Sequence, residues 1–538
     1  MKKKFFHFLI WVLCIVFFIS GCSKGNENIQ QEEEEVPELK TPVAGGEIFL
    51  PVIQFATFNP IVNDNQSVYY LHQLIYEGLL KLDEHYELQP ALAKSWSVSS
   101  DGSEWKFVLR DEVSWHDGKP FTAEDVKFTI DAIRISNETK NISIYSSFAQ
   151  YIKDVKVSSP NEILIRFDTP LQNPVEIFTF PIIPKHQFNN VESVYQSLNI
   201  VPVGTGPYKI ESYNKYNRIQ LVRYDNYWSK KPLLSGIIAK MVPDKGAALT
   251  SVEANEIDVS QANDYDWEKF SSDKTINIYE YVTQEYEFVG FNFNNHLLND
   301  INIRKAVSFG VDRHKITDEV YLGHATVTDA PIHPDSYMYD EEAQEIGYDI
   351  TKAKDILGKS NWLNRDADEW LENEEGEELR FHLLVNDNNT QRIKTAEIIA
   401  EQLKSIGIEV VIQKANWEEY EKRLAEKSYD LVIGGWKFSL IPDLRFALHS
   451  NYLTSSNFIG YSNPEMDRLL EEAAAAKIQD QRIEIYKLIQ KEFVKDLPYL
   501  SLFYKNSALI VKNHIKGNIS PNYYNIYNDI SNWYVQEE

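Results

Sequence analysis

Cysteine is nearly absent from this chain of 538 residues, which contains only Cys14 and Cys22. A framework of several disulfides, the usual support of small secreted domains, is therefore excluded. The chain also lacks the short motifs of zinc proteases, serine hydrolases, P-loop nucleotide sites and dithiol redox sites. Its 12 histidines are scattered rather than grouped. Nothing in the sequence therefore favours an enzyme, and no catalytic or metal-binding residue stands out.

Basic residues are scarce relative to acidic ones, with 54 lysines and arginines against 80 aspartates and glutamates and a net charge of −26. The phosphates of nucleic acid would repel so acidic a protein, so we expect no nucleic-acid partner. Hydrophobic residues make up 43% of the chain and aromatic residues 13%. This content is enough for a large buried core and excludes a wholly disordered chain.

Long apolar runs are limited to one, residues 8–19, which follows the basic stretch Lys2-Lys3-Lys4. A helix of this length rises roughly 18 Å, which is too short to span about 30 Å of hydrocarbon. A basic start followed by a short apolar run is typical of a secretory signal. No other run in the sequence reaches about 18 apolar residues, so we expect no second membrane segment.

The apolar run ends in Ile19-Ser20-Gly21-Cys22, which resembles the lipobox of bacterial lipoproteins. In a lipobox the cysteine is acylated and becomes the first residue of the mature chain. We therefore predict a signal peptide over 1–21 and lipidation of Cys22, and the alternative is an ordinary signal cleaved elsewhere. Residues 22–44 are rich in Asn, Gln and Glu, so we expect a lipid-anchored acidic tether that remains solvated.

The body of the chain alternates between strand and helix patterns, which predicts an α/β fold. The later half shows five such segments: a strand over 381–385, a helix over 392–406, a strand over 408–412, a helix over 417–426 and a strand over 429–433. A strand–helix–strand unit makes its two strands parallel. Ligands of open α/β sheets lie beyond the carboxyl ends of the strands, and Gly434-Gly435-Trp436 follows such an end.

Several longer stretches carry a resemblance to one family. They are Leu74-Ile75-Tyr76-Glu77-Gly78-Leu79-Leu80, Trp115-His116-Asp117-Gly118-Lys119-Pro120-Phe121-Thr122-Ala123-Glu124-Asp125-Val126, Gly204-Thr205-Gly206-Pro207-Tyr208, Tyr224-Asp225-Asn226-Tyr227-Trp228, Asn299-Asp300-Ile301-Asn302-Ile303-Arg304-Lys305-Ala306-Val307 and Val311-Asp312-Arg313. In this order they are similar to motifs of the family 5 extracellular solute-binding proteins of ABC importers, which include oligopeptide-, dipeptide- and nickel-binding proteins. The resemblance covers nearly all of residues 45–535.

The resemblance implies a two-lobed, periplasmic-binding-protein-like α/β fold with an extra domain in the first lobe and a hinge of two crossover segments. Carried onto this chain, it gives these boundaries: lobe I over 45–84, 205–283 and 504–538, the inserted domain over 85–204, and lobe II over 284–503. The ligand would lie between the lobes and be enclosed when they close.

The resemblance also suggests ligand-binding residues. Trp417 and Trp436 match tryptophans that line the cleft in the family, although each also fits ordinary packing. Tyr286, Phe503 and Tyr504 fall near the hinge crossings and are included as candidates, with packing of the hinge as the favoured interpretation. With Ser439, these five aromatic residues are the candidate ligand-binding residues, and the two tryptophans are the ones expected to line the cleft.

One position departs from the family pattern. Family peptide binders have an aspartate three residues after the Trp436 position, where it pairs with the α-amino group of the ligand, and this chain has Ser439 instead. A buried ammonium without a partner costs several kcal/mol. The amine therefore stays hydrated, or another acid such as Asp443 reaches it, or the ligand has no amine there.

The predicted function is that of a substrate-binding lipoprotein of an ABC importer, which captures oligopeptides between its lobes and delivers them to a membrane permease. The alternative on the same fold is a receptor for a non-peptide solute such as a sugar, an opine or a metal chelate. A lipoprotein hydrolase or a cell-surface adhesin is a third hypothesis. The expected partners are the ligand, the permease with its ATPase complex, and the outer face of the bacterial cytoplasmic membrane through the lipid anchor. We expect a monomer without a cofactor or a metal.

Overall fold

The computed structural model describes residues 42–135, 143–146, 151–168, 178–214, 216–262, 266–343, 347–366, 368–439 and 441–536. The predicted signal peptide, the lipidation site Cys22 and the tether up to residue 41 lie outside these residues. In the described part of the chain, no helix is both long enough and apolar enough to cross a bilayer.

Strands form the framework, and helices pack against them. The strands are β1 (Glu47–Ile53), β2 (Leu80–Leu82), β3 (Leu88–Pro90), β4 (Ala93–Val98), β5 (Glu104–Leu109), β6 (Ile152–Ser159), β7 (Glu162–Phe167), β8 (Tyr208–Asn214), β9 (Arg218–Arg223), β10 (Gly236–Val242), β11 (Val259–Ala262), β12 (Ile276–Phe291), β13 (Ala325–Val327), β14 (Arg380–Asn386), β15 (Glu409–Ala415), β16 (Leu431–Lys437), β17 (Tyr499–Lys512), β18 (Ile515–Lys516) and β19 (Tyr534–Val535). The α-helices are α1 (Gln66–Ile75), α2 (Ala123–Ile135), α3 (Ser193–Gln196), α4 (Lys245–Glu253), α5 (Ile301–Gly310), α6 (Arg313–Tyr321), α7 (Ile350–Lys359), α8 (Thr390–Lys404), α9 (Trp417–Glu426), α10 (Arg445–Leu448), α11 (Pro464–Ala475) and α12 (Gln479–Asp496). Short 3₁₀ helices cover Lys185–Gln187, Asp266–Phe270, Ser450–Tyr452 and Ile530–Asn532.

The first half of the chain contributes two four-stranded sheets. One has the order β1-β10-β9-β8, with β1 parallel to β10 and the other neighbours antiparallel. The other, β4-β5-β7-β6, is antiparallel throughout and packs against α2. Alternate side chains of β5, namely Trp105, Phe107 and Leu109, are buried, so one face of this sheet belongs to the core.

The large sheet of the second half has the order β11-β17-β12-β16-β14-β15, and β13 pairs with β17. β14 is parallel to both β15 and β16, so the predicted parallel strand–helix–strand arrangement is confirmed. β16 begins at Leu431 and continues to Lys437 instead of ending at 433, because it also pairs with β12 as far as Glu285. The Gly434-Gly435-Trp436 sequence is therefore part of the strand.

β12 and β17 are long antiparallel strands of 16 and 14 residues that connect the two lobes. One end of the pair lies beside β11 and the other beside β16. The register of the pair is interrupted between Val282 and Tyr286. An irregularity of this kind bends a strand pair locally, and it lies where the two crossover segments of the hinge are expected.

Four of the six stretches that carry the family resemblance contact one another. A Cβ atom at Gly204 would lie 1.7 Å from the carbonyl oxygen of Ile75, so only glycine allows this loop to approach the end of α1. The neighbouring imidazole of His116 accepts a hydrogen bond from the Gly204 N–H at 3.2 Å and donates one to the Gly206 carbonyl at 3.0 Å. Burial lowers the pKa of His116 to about 4, which keeps this ring neutral.

Glu77 links its own stretch to the stretch that contains Tyr227 and Trp228. Its carboxylate accepts hydrogen bonds from the Tyr227 hydroxyl and the Trp228 indole N–H, both at 2.9 Å. Burial raises the pKa of Glu77, and these two donors act in the opposite direction. The Tyr224 hydroxyl donates to the carbonyl of Trp115 at 3.0 Å. These four stretches therefore build one connected scaffold.

Candidate functional site

The hinge aromatics Tyr286, Phe503 and Tyr504 are fully buried, each with 0% of its surface exposed. Tyr286 and Tyr504 pair across β12 and β17 with ring centroids 5.3 Å apart, and the Tyr286 hydroxyl lies 2.6 Å from Ser501 Oγ. Phe503 packs on Tyr321 with a centroid distance of 4.5 Å. These contacts are those of hinge packing, and a direct role in ligand binding stays a prediction.

Trp436 is a partly buried residue in an aromatic cluster on one face of β16. Its indole lies 4.8 Å from the ring of Phe446 in an edge-on arrangement, 5.5 Å from Phe458 and 6.2 Å from Phe288. Because side chains alternate along a strand, Gly434 shares this face, whereas Gly435 and Lys437 face the other way.

Trp417 is 50% exposed and begins α9. It stacks on Tyr420 with ring centroids 5.5 Å apart, and the Tyr420 hydroxyl donates to the Ile433 carbonyl at 2.8 Å. Through Tyr420, the structure brings Trp417 to the same strand that carries Trp436. Trp417 is therefore linked through Tyr420 to Ile433 in the middle of β16, and Trp436 is the penultimate residue of the same strand.

Near its end, β16 is paired with a neighbouring strand on one side only. Among the described residues, β16 pairs with β14 only at Leu431 and Val432, whereas it pairs with β12 along its whole length to Lys437. From residue 433 onward, the side of β16 that faces away from β12 has no partner strand in the described part of the chain. An unpaired strand edge is a template for an incoming extended chain.

The acidic residue nearest in sequence to Ser439 is already engaged. Ser439 Oγ donates to the carbonyl of Ile441 at 2.9 Å. Asp443 accepts from Arg445 Nη2 at 2.6 Å and from Arg445 Nε at 2.8 Å. Burial by itself would raise the pKa of Asp443, but the hydrogen bonds from Arg445 outweigh it and hold the pKa below its usual value. The negative charge of Asp443 is thus balanced by Arg445.

A cavity of about 420 Å³ lies beside the β12–β17 pair. This is within the usual range of small-molecule sites. Its lining includes Gln261, Thr283, Glu285, Lys437, Lys505 and Tyr523. Glu285 and Lys437 are opposite each other in the pairing of β12 with β16, so the face of the sheet behind Trp436 is the one that meets the cavity.

A buried ion pair stands beside this cavity. Arg392 donates to Glu287 through Nε at 2.8 Å and through Nη2 at 2.9 Å, and the Lys505 ammonium lies 3.4 Å from the same carboxylate. Burial by itself would lower the pKa values of Arg392 and Lys505, but the carboxylate of Glu287 outweighs it and raises both. A Cβ at Gly435 would lie 2.6 Å from Arg392 Nη2, so glycine makes room for the pair.

Sequence reasoning missed this charged face of the cleft. Lys437 follows Trp436 directly, and alternation along the strand could have identified it as a residue of the opposite face. Arg392, Glu287 and Lys505 are distant from one another in sequence, so no local pattern connects them. The pairing of β12 with β17 and the packing of α8 against β14 and β15 bring them together.

A cluster of carboxylates on the loop between α7 and β14 is the one group with metal-ligating spacing in the described residues. Oxygen atoms of Asp366, Asp368 and Glu372 lie within 4.8 Å of one another. Glu372 already accepts a hydrogen bond from the Arg365 N–H at 2.8 Å. Exposed acidic groups of this kind are common without a metal, and none of the three lines the hinge cavity.

Two lobes joined by crossing strands, with a polar cavity at the crossing, define a receptor that closes around a solute. Residues 87–458, which are more than half of the chain, match the model of the bacterial extracellular solute-binding proteins, family 5, and the chain belongs to this family. It is therefore a substrate-binding protein of an ABC importer, acts outside the cytoplasm and is not an enzyme. The predicted family and two-lobed fold are confirmed.

Similar proteins bind different solutes. The oligopeptide-binding protein AppA of Bacillus subtilis (strain 168) is 26% identical over 529 residues, which cover 96% of this chain and 96% of AppA. The structure of AppA from Bacillus subtilis with a nonapeptide is 25% identical, with 92% of this chain and 100% of that chain covered and a TM-score of 0.58. The structure of NikZ from Campylobacter jejuni with Ni(L-His) is also 25% identical, with 91% and 99% covered and a TM-score of 0.62.

Proposed function

We propose that the protein captures oligopeptides between its lobes and delivers them to an ABC permease with its ATPase complex. The observation that carries this proposal is the edge of β16 beyond Ile433, next to Trp436, which has no partner strand among the described residues. The Ile433 carbonyl itself already accepts from the Tyr420 hydroxyl, on which Trp417 stacks. An extended peptide adds to such an edge through main-chain hydrogen bonds, which all peptides share, so one site accepts many sequences. The similarity to an oligopeptide-binding protein over nearly the whole chain supports the same ligand class.

The proposed mechanism is closure of the lobes around the peptide. The interrupted register between β12 and β17 is the place where the two halves turn. The ligand stabilises the closed state, and a change in population from 1:99 to 99:1 requires about 5.5 kcal/mol of differential binding. Delivery to the permease and opening of the lobes then release the peptide. No cofactor takes part in this cycle.

The proposed boundaries between the two lobes lie within β12 and β17 or next to them. Lobe I would consist of 45–84, 205–283 and 504–538, with the inserted domain at 85–204, and lobe II would cover 284–503. The irregularity of β12 after Val282 supports the change of lobe near 283, and the pairing of Tyr286 with Tyr504 supports the return crossing near 504.

The peptide would be held mainly by its backbone and side chains rather than by its amino end. Ser439 replaces the aspartate of family peptide binders, and Asp443 is balanced by Arg445. A serine does not neutralise an ammonium, so the amino group of the ligand remains hydrated or lies elsewhere. The proposed receptor therefore tolerates peptides with blocked amino ends.

The proposed location is the outer face of the cytoplasmic membrane. Acylation of Cys22 would anchor the chain there, and the acidic segment 22–44 would hold the body away from anionic lipid. Metabolic labelling with a radioactive fatty acid tests this: the wild-type protein should be labelled and Cys22→Ser should not. Equal labelling of the two proteins would contradict the anchor.

The ligand class is tested by native purification of the full chain from a peptide-rich culture, denaturation, and mass spectrometry of the released molecules. A series of peptides is expected. A single non-peptide mass, such as a sugar, an opine or a metal chelate, would overturn the peptide proposal and favour the alternative. If nothing is released, a thermal-shift comparison of peptides with sugars and metal chelates decides between the two ligand classes.

A further inference from the structure

Gln284 is a buried polar side chain at the interruption of β12. Only 1% of its surface is exposed, and it lies between Val282 and Tyr286, where the register of β12 with β17 is broken. Among the described residues, neither the oxygen nor the nitrogen of its carboxamide has a hydrogen-bond partner. It is the one side chain in the described part of the chain with two buried atoms of this kind. The protein by itself therefore leaves both a donor and an acceptor unpaired.

Another glutamine with the same burial shows how this fold treats the carboxamide group elsewhere. Gln490 is also 1% exposed. Its amide oxygen accepts from the Asp340 N–H at 3.1 Å, and its amide nitrogen donates to the Met338 carbonyl at 2.8 Å. Buried polar groups are normally paired in this way, because dehydration without a partner is unfavourable. Gln284 departs from this rule, and it does so at the proposed boundary between the two lobes.

The backbone of Gln284 connects it with the end of β16. Its carbonyl accepts from the Phe438 N–H at 3.0 Å, which extends the pairing of β12 with β16 by one residue beyond Lys437. The next residue along the chain is Ser439, where family peptide binders have an aspartate. Gln284 is therefore adjacent to the end of the strand whose free edge carries the peptide proposal.

The neighbouring side chains do not pair with the carboxamide. Because side chains alternate along a strand, Gln284 shares the face of Tyr286, whose ring lies 5.6 Å from that of Phe438. The Tyr286 hydroxyl is already engaged with Ser501 Oγ at 2.6 Å. Glu285, the next residue of β12, belongs to the opposite face. A partner for the carboxamide must therefore come from outside this group of side chains.

We propose that the carboxamide of Gln284 binds a main-chain amide of the peptide when the lobes close. The inference rests on the proposed function. A carboxamide has a donor and an acceptor, and a peptide unit presents the complementary acceptor and donor. Without a peptide, the closed state keeps the carboxamide unpaired, which disfavours closure. With a peptide, the hydrogen bonds form and stabilise the closed state. Gln284 thus makes closure selective for a ligand that carries amides.

The test combines substitution of Gln284 with substitution in the peptide backbone. The purified full-length protein is titrated calorimetrically with an alanine-rich peptide and with analogues in which one amide at a time is replaced by an ester. An ester lacks the N–H donor and has a weaker carbonyl acceptor. At the contacted position, the ester should bind the wild-type protein about tenfold more weakly, since a buried hydrogen bond is lost. Gln284→Met should bind the parent peptide about tenfold more weakly and should lose nothing further with that ester.

The melting temperature of the ligand-free protein separates a contact with the peptide from a structural role. Gln284→Met should raise it, because an unpaired buried polar group is replaced by an apolar chain of similar length. Gln402→Met is the matched control, since Gln402 accepts from the Asp312 N–H at 3.1 Å and donates to the Asp312 carbonyl at 3.3 Å. The control should melt at a lower temperature and keep its affinity for the peptide. If Gln284→Met does not fold, Gln284→Asn, whose amide is shorter by one methylene, is compared in its place.

Each outcome decides the inference. Equal affinity of the folded Gln284 variant and the wild-type protein for the parent peptide would overturn the inference and leave the peptide proposal intact. Losses from the ester and from the variant that add at every position would also overturn it, because groups that do not touch act independently. If neither protein binds any peptide, the proposed function fails and the inference fails with it. A loss shared by one ester position and the Gln284 variant supports the inference.

Discussion

Trp436 packs in a core cluster and is still placed where it could line the predicted cleft. Three aromatic rings, those of Phe288, Phe446 and Phe458, fix its orientation, yet the indole is only partly buried. A ring held in this way is pre-organised, so little conformational entropy is lost when a ligand covers it.

Replacement of Trp436 by Ala is therefore expected to weaken ligand binding by roughly 2 kcal/mol or more, as loss of an aromatic anchor does. Calorimetry with the natively bound ligand measures the effect. Trp370→Ala is the matched control, because Trp370 lies on the loop before β14 and contacts Lys404. Unchanged affinity in folded Trp436→Ala would remove this residue from the site.

Ser439 is the second residue whose role a single substitution can test. Ser439→Asp should shift preference toward peptides with a free amino end, since the new carboxylate can pair with an ammonium. Competition between free and N-acetylated forms of one peptide provides the measurement. Ser439→Asn is the neutral control of similar size. If Ser439→Asp binds both forms equally, the correspondence of this position with the family aspartate is wrong.

At the scale of elements, β16 shows why two glycines precede the tryptophan. A Cβ at Gly434 would lie 3.1 Å from Phe288 Cζ, and one at Gly435 would lie 2.6 Å from Arg392 Nη2 and 2.8 Å from Glu287 Oε1. The two faces of the strand are thus filled by an aromatic ring and by a buried ion pair. Glycine at both positions allows β16 to fit between them.

Gly435→Ala should consequently displace the Arg392–Glu287 pair and lower the free energy of unfolding by roughly 2–3 kcal/mol. Denaturant unfolding checks this value. Gly358→Ala in α7 is the control with the opposite expected sign, because a Cβ at Gly358 meets nothing within 4 Å and alanine favours helix. Equal stability of Gly435→Ala and the wild-type protein would mean that the ion pair moves without cost.

At the scale of the whole molecule, three buried histidines connect stability with pH. Burial lowers the pKa values of His72, His116 and His333 from 6.5 to about 4. Each ring is neutral in the folded protein and takes up a proton when the chain unfolds, so acid favours the unfolded chain between these two pH values. Glu77, whose pKa burial raises, acts in the opposite direction.

The expected result is that the free energy of unfolding falls as pH is lowered from 7 toward 4, and that His116→Gln reduces the slope. The contribution of one such ring is up to about 3 kcal/mol, since one pKa unit corresponds to about 1.4 kcal/mol. Denaturant titrations at several pH values measure both slopes. Identical slopes in the two proteins would show that His116 isn't linked to unfolding.

Local sequence pattern was sufficient to predict β14, α8, β15 and α9. Each of them has its own periodicity, both helices have their own N-cap, and the four elements follow one another in sequence. It misjudged the end of β16, since that strand is extended by pairing with β12, from which it is separated by more than a hundred residues. The same dependence on long-range contacts explains why the residues of the cleft were only partly predicted. Trp417 and Trp436 could be proposed from motifs, whereas Lys437, Lys505 and Arg392 approach one another only when β16, β17 and helix α8 pack together.

The sequence by itself determined the α/β class, the family and the scaffold motifs, because these depend on local periodicity and on contiguous stretches such as Gly204-Thr205-Gly206-Pro207-Tyr208. The tertiary structure decided that the hinge tyrosines are buried, that Asp443 is balanced by Arg445, and that Glu285, Lys437 and Lys505 line one cavity. Burial and charge compensation depend on which residues face one another, and β12 and β17 bring together side chains more than two hundred positions apart.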